Sequence, residues 1–456
     1  MPPPRTRIHW ILFVIFAAIV IVQAFVPPPV GMANNGDFSK IAGIFGLTAP
    51  TDDEFKFLIR TWHFDPASRF YAGFVSTEHV LAAVAVRVDR IVRRDGLFDI
   101  RMIGAVHAAL YLLAFWLLLP LLPPRATIIT GLLLVAIFAG SMYVEWMNTF
   151  YMDAATLVFL MLAAVFYLRA VAWGRNRDLI AFVACAILMA ASKAQHALLA
   201  VPVAALILAE PKWRHRIFFT RRSAALVLAG AGVAWWFTPP DYRVGPTFNV
   251  IFTDLLPRSH SVDADLKELG LDSSYRSLIG TFNYEPQSPM RRPEFVQEFS
   301  SRTSHARIFQ FLLRHPARGF LAVIHGLNSA ARQRPEMGNY EHASGRDQFT
   351  QARAFAPWSN LKELFFNGNG SMYLAYIVVV CVLALIVTWP TRYRAGTICL
   401  AGMMWMAMLI TTLGDALEPV RHAFLFSVLV DLLLASAAAA LLGRYWDEAS
   451  EKGISR

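Results

Sequence analysis

Apolar runs of about twenty residues, repeated along almost the whole chain, constrain this sequence more than any other feature. A stretch of that length spans the hydrocarbon core of a bilayer only as a helix, because lipid offers no partner for backbone N–H and C=O groups. About ten such runs can be read, at Ile8–Val26, Arg101–Leu122, Thr127–Val144, Met152–Ala172, Leu179–Ala191, His196–Ala209, Ala224–Phe237, Met372–Trp389, Gly396–Leu413 and Val420–Leu442. The fifth and sixth are short and read equally as one broken hairpin. The expected fold is an all-α integral membrane protein with a long exterior segment three quarters of the way along. The chain divides into a membrane bundle (1–237) with a first exterior loop (27–100), a largely helical exterior segment (238–371), and C-terminal spans with a short cytoplasmic tail (372–456).

Charge placement orients the bundle. Only 16% of the 456 residues are charged, and they fall between the apolar runs. Lysine and arginine concentrate in one set of connectors: Arg5 and Arg7; Arg169, Arg175 and Arg177; Lys212, Arg214, Arg216, Arg221 and Arg222; Arg392 and Arg394. This is the positive-inside pattern, so that face and both termini are expected in the cytoplasm. The net charge of +10 therefore does not indicate nucleic acid. The basic, apolar N-terminus resembles a signal peptide, but no small-x-small site precedes Pro27, which favours an uncleaved first span. The three cysteines lie inside apolar runs, so neither a disulfide framework nor a CxxC metal site is indicated.

The opposite face then receives every unusual polar cluster: the first loop, the link Glu145–Tyr151, Ser192–Gln195, the segment Thr238–Ser371 and the turn Gly414–Pro419. In the first loop, Asn34-Asn35-Gly36-Asp37 follows a proline run that ends the first span. A carboxylate there can act as general base toward a hydroxyl; the same tetrapeptide also favours a simple turn. Asp52, Asp53 and Glu54 are expected to open a short helix through Leu58, where acids suit the N-terminal dipole. Residues from Ser76 onward predict an amphipathic helix, with Val80, Leu81, Val84, Val88 and Ile91 at helical spacing. It either rests in the membrane interface or packs on other protein. In the long segment, 263–271 and 293–313 look helical, and 320–327 is too short to cross.

Asp153 opens an almost uncharged span, where a carboxylate needs a wet cavity, a partner or a capping role. Asn148 and Tyr151 sit at the same mouth. Lys193, with Gln195 and His196, faces the same side; its ammonium suits a phosphate, although interfacial lysines also merely snorkel. Arg421 enters the last span and needs an anion: Asp415, Glu418 or a lipid phosphate. Asp431 lies about three turns deeper and reads as a contact inside the bundle. There is no Walker loop, HExxH, GxSxG or zinc spacing, and His260, His305, His315, His325 and His342 form no metal pattern.

These motifs together resemble the GT-C superfamily of polytopic glycosyltransferases, which use polyprenyl-phosphate-linked sugars, in particular bacterial enzymes of the glycan hexose transferase type. Tyr143–Asp153 resembles their YFNSFY-acid segment, and Asn34–Phe38 their first-loop motif. Phe248–Leu271 is similar to part of their long exterior segment, and Gly414-Asp415 with Arg421–Phe426 to their last exterior turn. Asp153 stands where glutamate is commoner. The resemblance implies Asp37 as base, Asp153 as second acidic site, and Arg421, Lys193 and His422 as ligands of the donor phosphate. Asn34, Asn35, Asn148, Tyr151, Gln195 and Asp415 would line the cleft. It further implies a bacterial inner-membrane enzyme acting on an exterior glycan, lipid or protein acceptor. No metal ligands are assigned; a divalent cation held by Asp37 and Asp153 stays open as a cofactor. Two other readings compete. A transporter or flippase of a lipid-linked precursor requires polar residues near the midplane and inverted repeats, and no repeat is seen. A structural partner in an envelope assembly requires Asp37, Asp153 and Arg421 to lie far apart.

Overall fold

The computed structural model describes residues 4–454, without the side chains of Asp241 and residues 445–454. The expected common location of both termini touches residues 1–3 and 455–456, which lie outside the described ones. The fold is an all-α membrane bundle. Among the described residues seven helices are long and apolar enough to cross a bilayer: Arg7–Phe25, Arg101–Leu121, Met152–Trp173, Pro211–Trp236, Gly370–Thr388, Arg394–Leu413 and Pro419–Arg444. The other three expected spans are shorter helices, Thr127–Phe138, Asn176–Ala190 and Ala200–Ala209. Twelve residues rise only about 18 Å. The first of these stops because Ser141 turns away, donating its backbone N–H to Phe355 O (2.7 Å) and its hydroxyl to Gln23 (2.8 Å).

Met152–Trp173 is the central helix and packs against Asn176–Ala190 and Arg101–Leu118. Phe424–Ile454 packs against Gly370–Thr388 and Arg394–Leu413. Outer helices leave Ile11, Val14, Val22, Trp236, Val379 and Ile386 exposed, which suits a lipid-facing surface. The link 145–151 is seated through Gly104. A Cβ there would collide with the Asn148 side chain. Gly104→Ala is therefore expected to destabilise the bundle by about 1–3 kcal/mol, as overpacking does, visible as a lower melting temperature in detergent.

The first loop differs from its sequence reading. No helix begins at Asp52. Phe55 takes a left-handed φ of 63°, and its neighbours pair with distant backbone instead. Phe55 N–H donates to Asn34 O (2.7 Å), Leu58 N–H to Tyr340 O (2.9 Å) and Gly338 N–H to Phe55 O (2.9 Å). The extended segments around 31–34, 55–58 and 338–340 are thus laced together, and tertiary pairing overrides the local helix signal. Three short antiparallel strands follow in the order β1 (Leu47–Thr48), β2 (Thr61–Phe64) and β3 (Leu97–Asp99).

The amphipathic helix forms at Thr77–Val92, capped by Ser76, whose hydroxyl accepts the Glu78 N–H. Of the two expectations, packing on other protein is the one seen. Leu81, Ala82, Ala85 and Val86 are buried, and the helix packs against Arg101–Leu118; Val80, Val84, Val88 and Ile91 are exposed.

In the long segment the α-helices are Asp241–Asn249, Val262–Glu268, Pro293–Arg302, His305–Arg314, Pro316–Ala330 and Pro357–Phe366. The single helix expected over 293–313 is broken by extended residues Thr303 and Ser304. A separate apolar core, including Phe248, Phe252, Tyr275, Phe299 and Phe311, holds this part together. Pro357–Phe366 returns to the bundle and inserts Lys362. Its ammonium meets Asp431 at 3.0 Å, and Asp431 also accepts from Tyr143 (2.6 Å) and Trp358 (2.9 Å). Asp431 is therefore a contact inside the bundle, and a fixed one.

Candidate active site

The site starts from a turn. Asn34 Oδ1 accepts the N–H groups of Gly36 (2.9 Å) and Phe38 (3.1 Å). Gly36 has a φ of 95°, a conformation glycine adopts without steric cost. This turn presents Asp37 at the rim of a cavity of about 380 Å³. The wall takes Asp37, Lys40 and Phe74 from the first loop, Phe150 and Tyr151 from the link, and Asp153 from the head of the central helix. It takes Lys193 and Gln195 from the connector Ser192–Gln195. Tyr242, Asn283, Tyr284 and Arg291 come from the long segment, and Asp415, Arg421 and His422 from the last turn and helix. The five polar clusters that sequence assigned to one face thus converge at one end of the bundle.

Asp37 is held on both oxygens. Lys40 Nζ pairs with Oδ1 at 2.5 Å, and Arg421 donates to Oδ2 at 3.0 Å. Burial alone would push this carboxyl up; the Lys40 ammonium and the Arg421 guanidinium outweigh it and hold the group well below the ordinary carboxylate range. Arg421 is 5% exposed. Its Nε donates to Glu418 at 2.6 Å, and the guanidinium lies 4.9 Å from the Tyr151 ring centre. Of the two carboxylates considered as its partner, Glu418 takes the role. Asp415 instead accepts from Asn249 (3.2 Å) and from Leu417 N–H (3.1 Å). Burial pushes the Asp415 carboxyl up.

Asp153 is bound through both oxygens by Lys193, at 3.0 and 3.1 Å. Lys193 is therefore an ion-pair partner as well as a cavity cation. His422 sits 4.0 Å from Asp415, and its Nδ1 has no hydrogen-bond partner among the described residues.

The family model for the YfdI N-terminal transmembrane domain matches residues 5–456. The chain belongs to this family. It is a GT-C-like family, and membership makes the chain a multi-pass membrane protein. None of the curated proteins matches the sequence. Among solved structures, the archaeal oligosaccharyltransferase AglB from Archaeoglobus fulgidus, in complex with an inhibitory peptide and a dolichol-phosphate, is similar. The match has 13% identity and a TM-score of 0.42, over 98% of this chain and 52% of that one. The chain spans about half the length of that protein.

Within this YfdI-family chain, three expected cleft residues, Asn34, Asn35 and Asn148, do not reach the cavity wall. Asn34 is spent on its own turn. Asn148 is fully buried and donates to Ala24 O and Val30 O, both at 2.7 Å. It braces the chain on either side of the proline run, so both asparagines shape the site from behind. Asn35 also sits behind the wall, where it binds Glu418, Tyr151 and the Asp37 N–H. Glu145, in the acidic link, is not in the cavity; Arg334 reaches it at 3.0 Å in a buried pair.

Sequence reading missed Lys40, although it stands three residues after Asp37, in the short helix Ser39–Ala42 that Asp37 precedes, a spacing that signals an ion pair. It also missed Tyr242, Tyr284 and Arg291, for which no local signal exists. A divalent cation between Asp37 and Asp153 does not fit the donor set. All four carboxylate oxygens already face ammonium or guanidinium groups, and among the described residues no three His, Cys, Asp or Glu side chains converge.

Proposed function

We propose that this protein transfers a sugar from a polyprenyl-phosphate-linked donor to a hydroxyl of an acceptor on the outer face of the membrane. The observation that carries the reading is the cavity itself. The Asp37 carboxylate and three cations, Lys40, Lys193 and Arg421, share one pocket, with Arg421 and Asp37 in contact across 384 residues of sequence. The acceptor oxygen attacks the anomeric carbon and the bond from that carbon to the phosphate oxygen breaks. The acceptor proton passes to Asp37. Polyprenyl phosphate leaves with its charge stabilised by Arg421, Lys193 and Lys40. Membership of a GT-C-like family agrees with this chemistry. The gathering of Asp37, Asp153 and Arg421 opposes the reading as a purely structural envelope partner, which needs them scattered. Nothing specific to a flippase favours the transport reading.

The test is incubation of the purified protein with a panel of radiolabelled polyprenyl-phosphate sugars, following transfer to acceptor and release of sugar. One donor should turn over; a panel without turnover sinks the proposal. Arg421→Lys keeps the charge but loses the planar fork. It is expected to lower kcat/KM about a hundredfold, the scale of a lost transition-state donor.

A further inference from the structure

Arg421 does not face Asp37 alone. Its Nε edge is taken by Glu418 (2.6 Å), while only a terminal nitrogen reaches Asp37 (3.0 Å). Glu418 is itself gripped by Asn35 Nδ2, at 2.7 and 2.9 Å to its two oxygens. Asn35 Oδ1 in turn accepts the Asp37 backbone N–H at 3.0 Å and the Tyr151 hydroxyl at 3.0 Å. The four residues close a ring, Asp37–Asn35–Glu418–Arg421, through three side-chain contacts and the Asp37 backbone N–H, between the first loop and the last. Glu418 holds this place in a strained backbone: φ is 48° and ψ 45°, directly before Pro419. A non-glycine residue is disfavoured in that region, and a following proline narrows the choice further. Such strain persists where the surroundings over-determine it, and it is common at working sites.

We propose that Glu418 is a positioning residue for the base. It occupies one edge of Arg421 so that the guanidinium cannot close on Asp37 through both edges. Asp37 then carries one Arg421 bond on Oδ2 beside the Lys40 pair on Oδ1, which leaves a lone pair of the carboxylate to share with an incoming hydroxyl, and the other terminal nitrogen of Arg421 is left for a phosphate. A guanidinium offered a single buried carboxylate pairs with it in bidentate fashion; a second carboxylate on the Nε edge prevents that. The idea rests on Asp37 as base and Arg421 as phosphate ligand.

Two measurements on the purified full chain test it: affinity for undecaprenyl monophosphate in detergent, and turnover of the labelled donor. Glu418→Gln keeps the shape and removes the charge. Turnover is expected to fall about ten- to hundredfold, the range for one hydrogen bond to a charged group. Affinity for the monophosphate should stay level or tighten, because a competing anion is gone. Asn35→Ala, which loosens Glu418 without changing any charge, should show a weaker form of the same split. Arg421→Ala should lose monophosphate affinity. Glu418→Gln with wild-type turnover overturns the positioning role alone, and so does a parallel loss of turnover and affinity. Arg421→Ala with full affinity overturns the phosphate-binding reading, and this inference with it. Should Glu418→Gln not accumulate, Asn35→Ala decides by the same criteria.

Discussion

Asp37→Asn is expected to lower transfer by about 10²–10⁴, the usual contribution of a positioned general base, while the protein still inserts and purifies. Asparagine keeps the size of the side chain and can still accept one hydrogen bond from Arg421. It cannot take the acceptor proton. The pH profile carries a second signature. In the wild type, Lys40 and Arg421 hold the Asp37 carboxyl well below the ordinary carboxylate range, so Asp37 is ionised, and competent as a base, at every pH above that range. Protonation removes the base only as pH falls through the depressed value. The kcat/KM of wild type should therefore stay flat down to about pH 4, the ordinary aspartate value, and fall only below it. Asp37→Asn should lack that acid limb. Initial rates of labelled transfer, followed from pH 8 down to about pH 2, well below the ordinary aspartate value, decide. Wild-type turnover in Asp37→Asn would show that another group is the base.

Lys362→Ala is expected to be the most destabilising single change. It leaves Asp431, which is fully buried, without its ammonium. Removing one partner of a buried ion pair costs about 3–5 kcal/mol, because the remaining charge is stranded. Tyr143 and Trp358 still donate to Asp431, which places the loss toward the lower end. The loss should appear as a fall in melting temperature in detergent and in yield. Replacing the pair together, Lys362→Met with Asp431→Leu, should restore much of it, since two apolar groups leave no charge behind. If Lys362→Ala melts like wild type, Pro357–Phe366 is not anchored in the bundle through this pair.

The legible parts of this chain are the ones set by a few neighbouring residues. Helix Thr77–Val92 shows itself through the Ser76 cap and a helical spacing of valines, and the break after the first span shows itself through its prolines. Where local signals fail, a distant backbone has taken the hydrogen bonds. Acids at 52–54 suit a helix start, yet Phe55 and Leu58 pair with residues 34 and 340. The Thr127 span is cut short by a bond to Phe355. Asn148 stands beside real cavity residues in sequence, but its amide reaches Ala24 and Val30 from behind the wall.

Hydropathy and charge placement by themselves pointed to a helical membrane protein whose unusual polar clusters share one end, and they singled out Asp37, Asp153, Lys193 and Arg421, which all line the cavity there. These are consequences of a solvent that accepts no bare peptide group and few charges, so each segment declares itself alone. Only the tertiary structure decided the pairings: Arg421 with Asp37 and Glu418, Lys193 with Asp153, Lys362 with Asp431. An ion pair within some 3 Å is fixed by how helices pack, and nothing in the hundreds of intervening residues records which buried charge meets which.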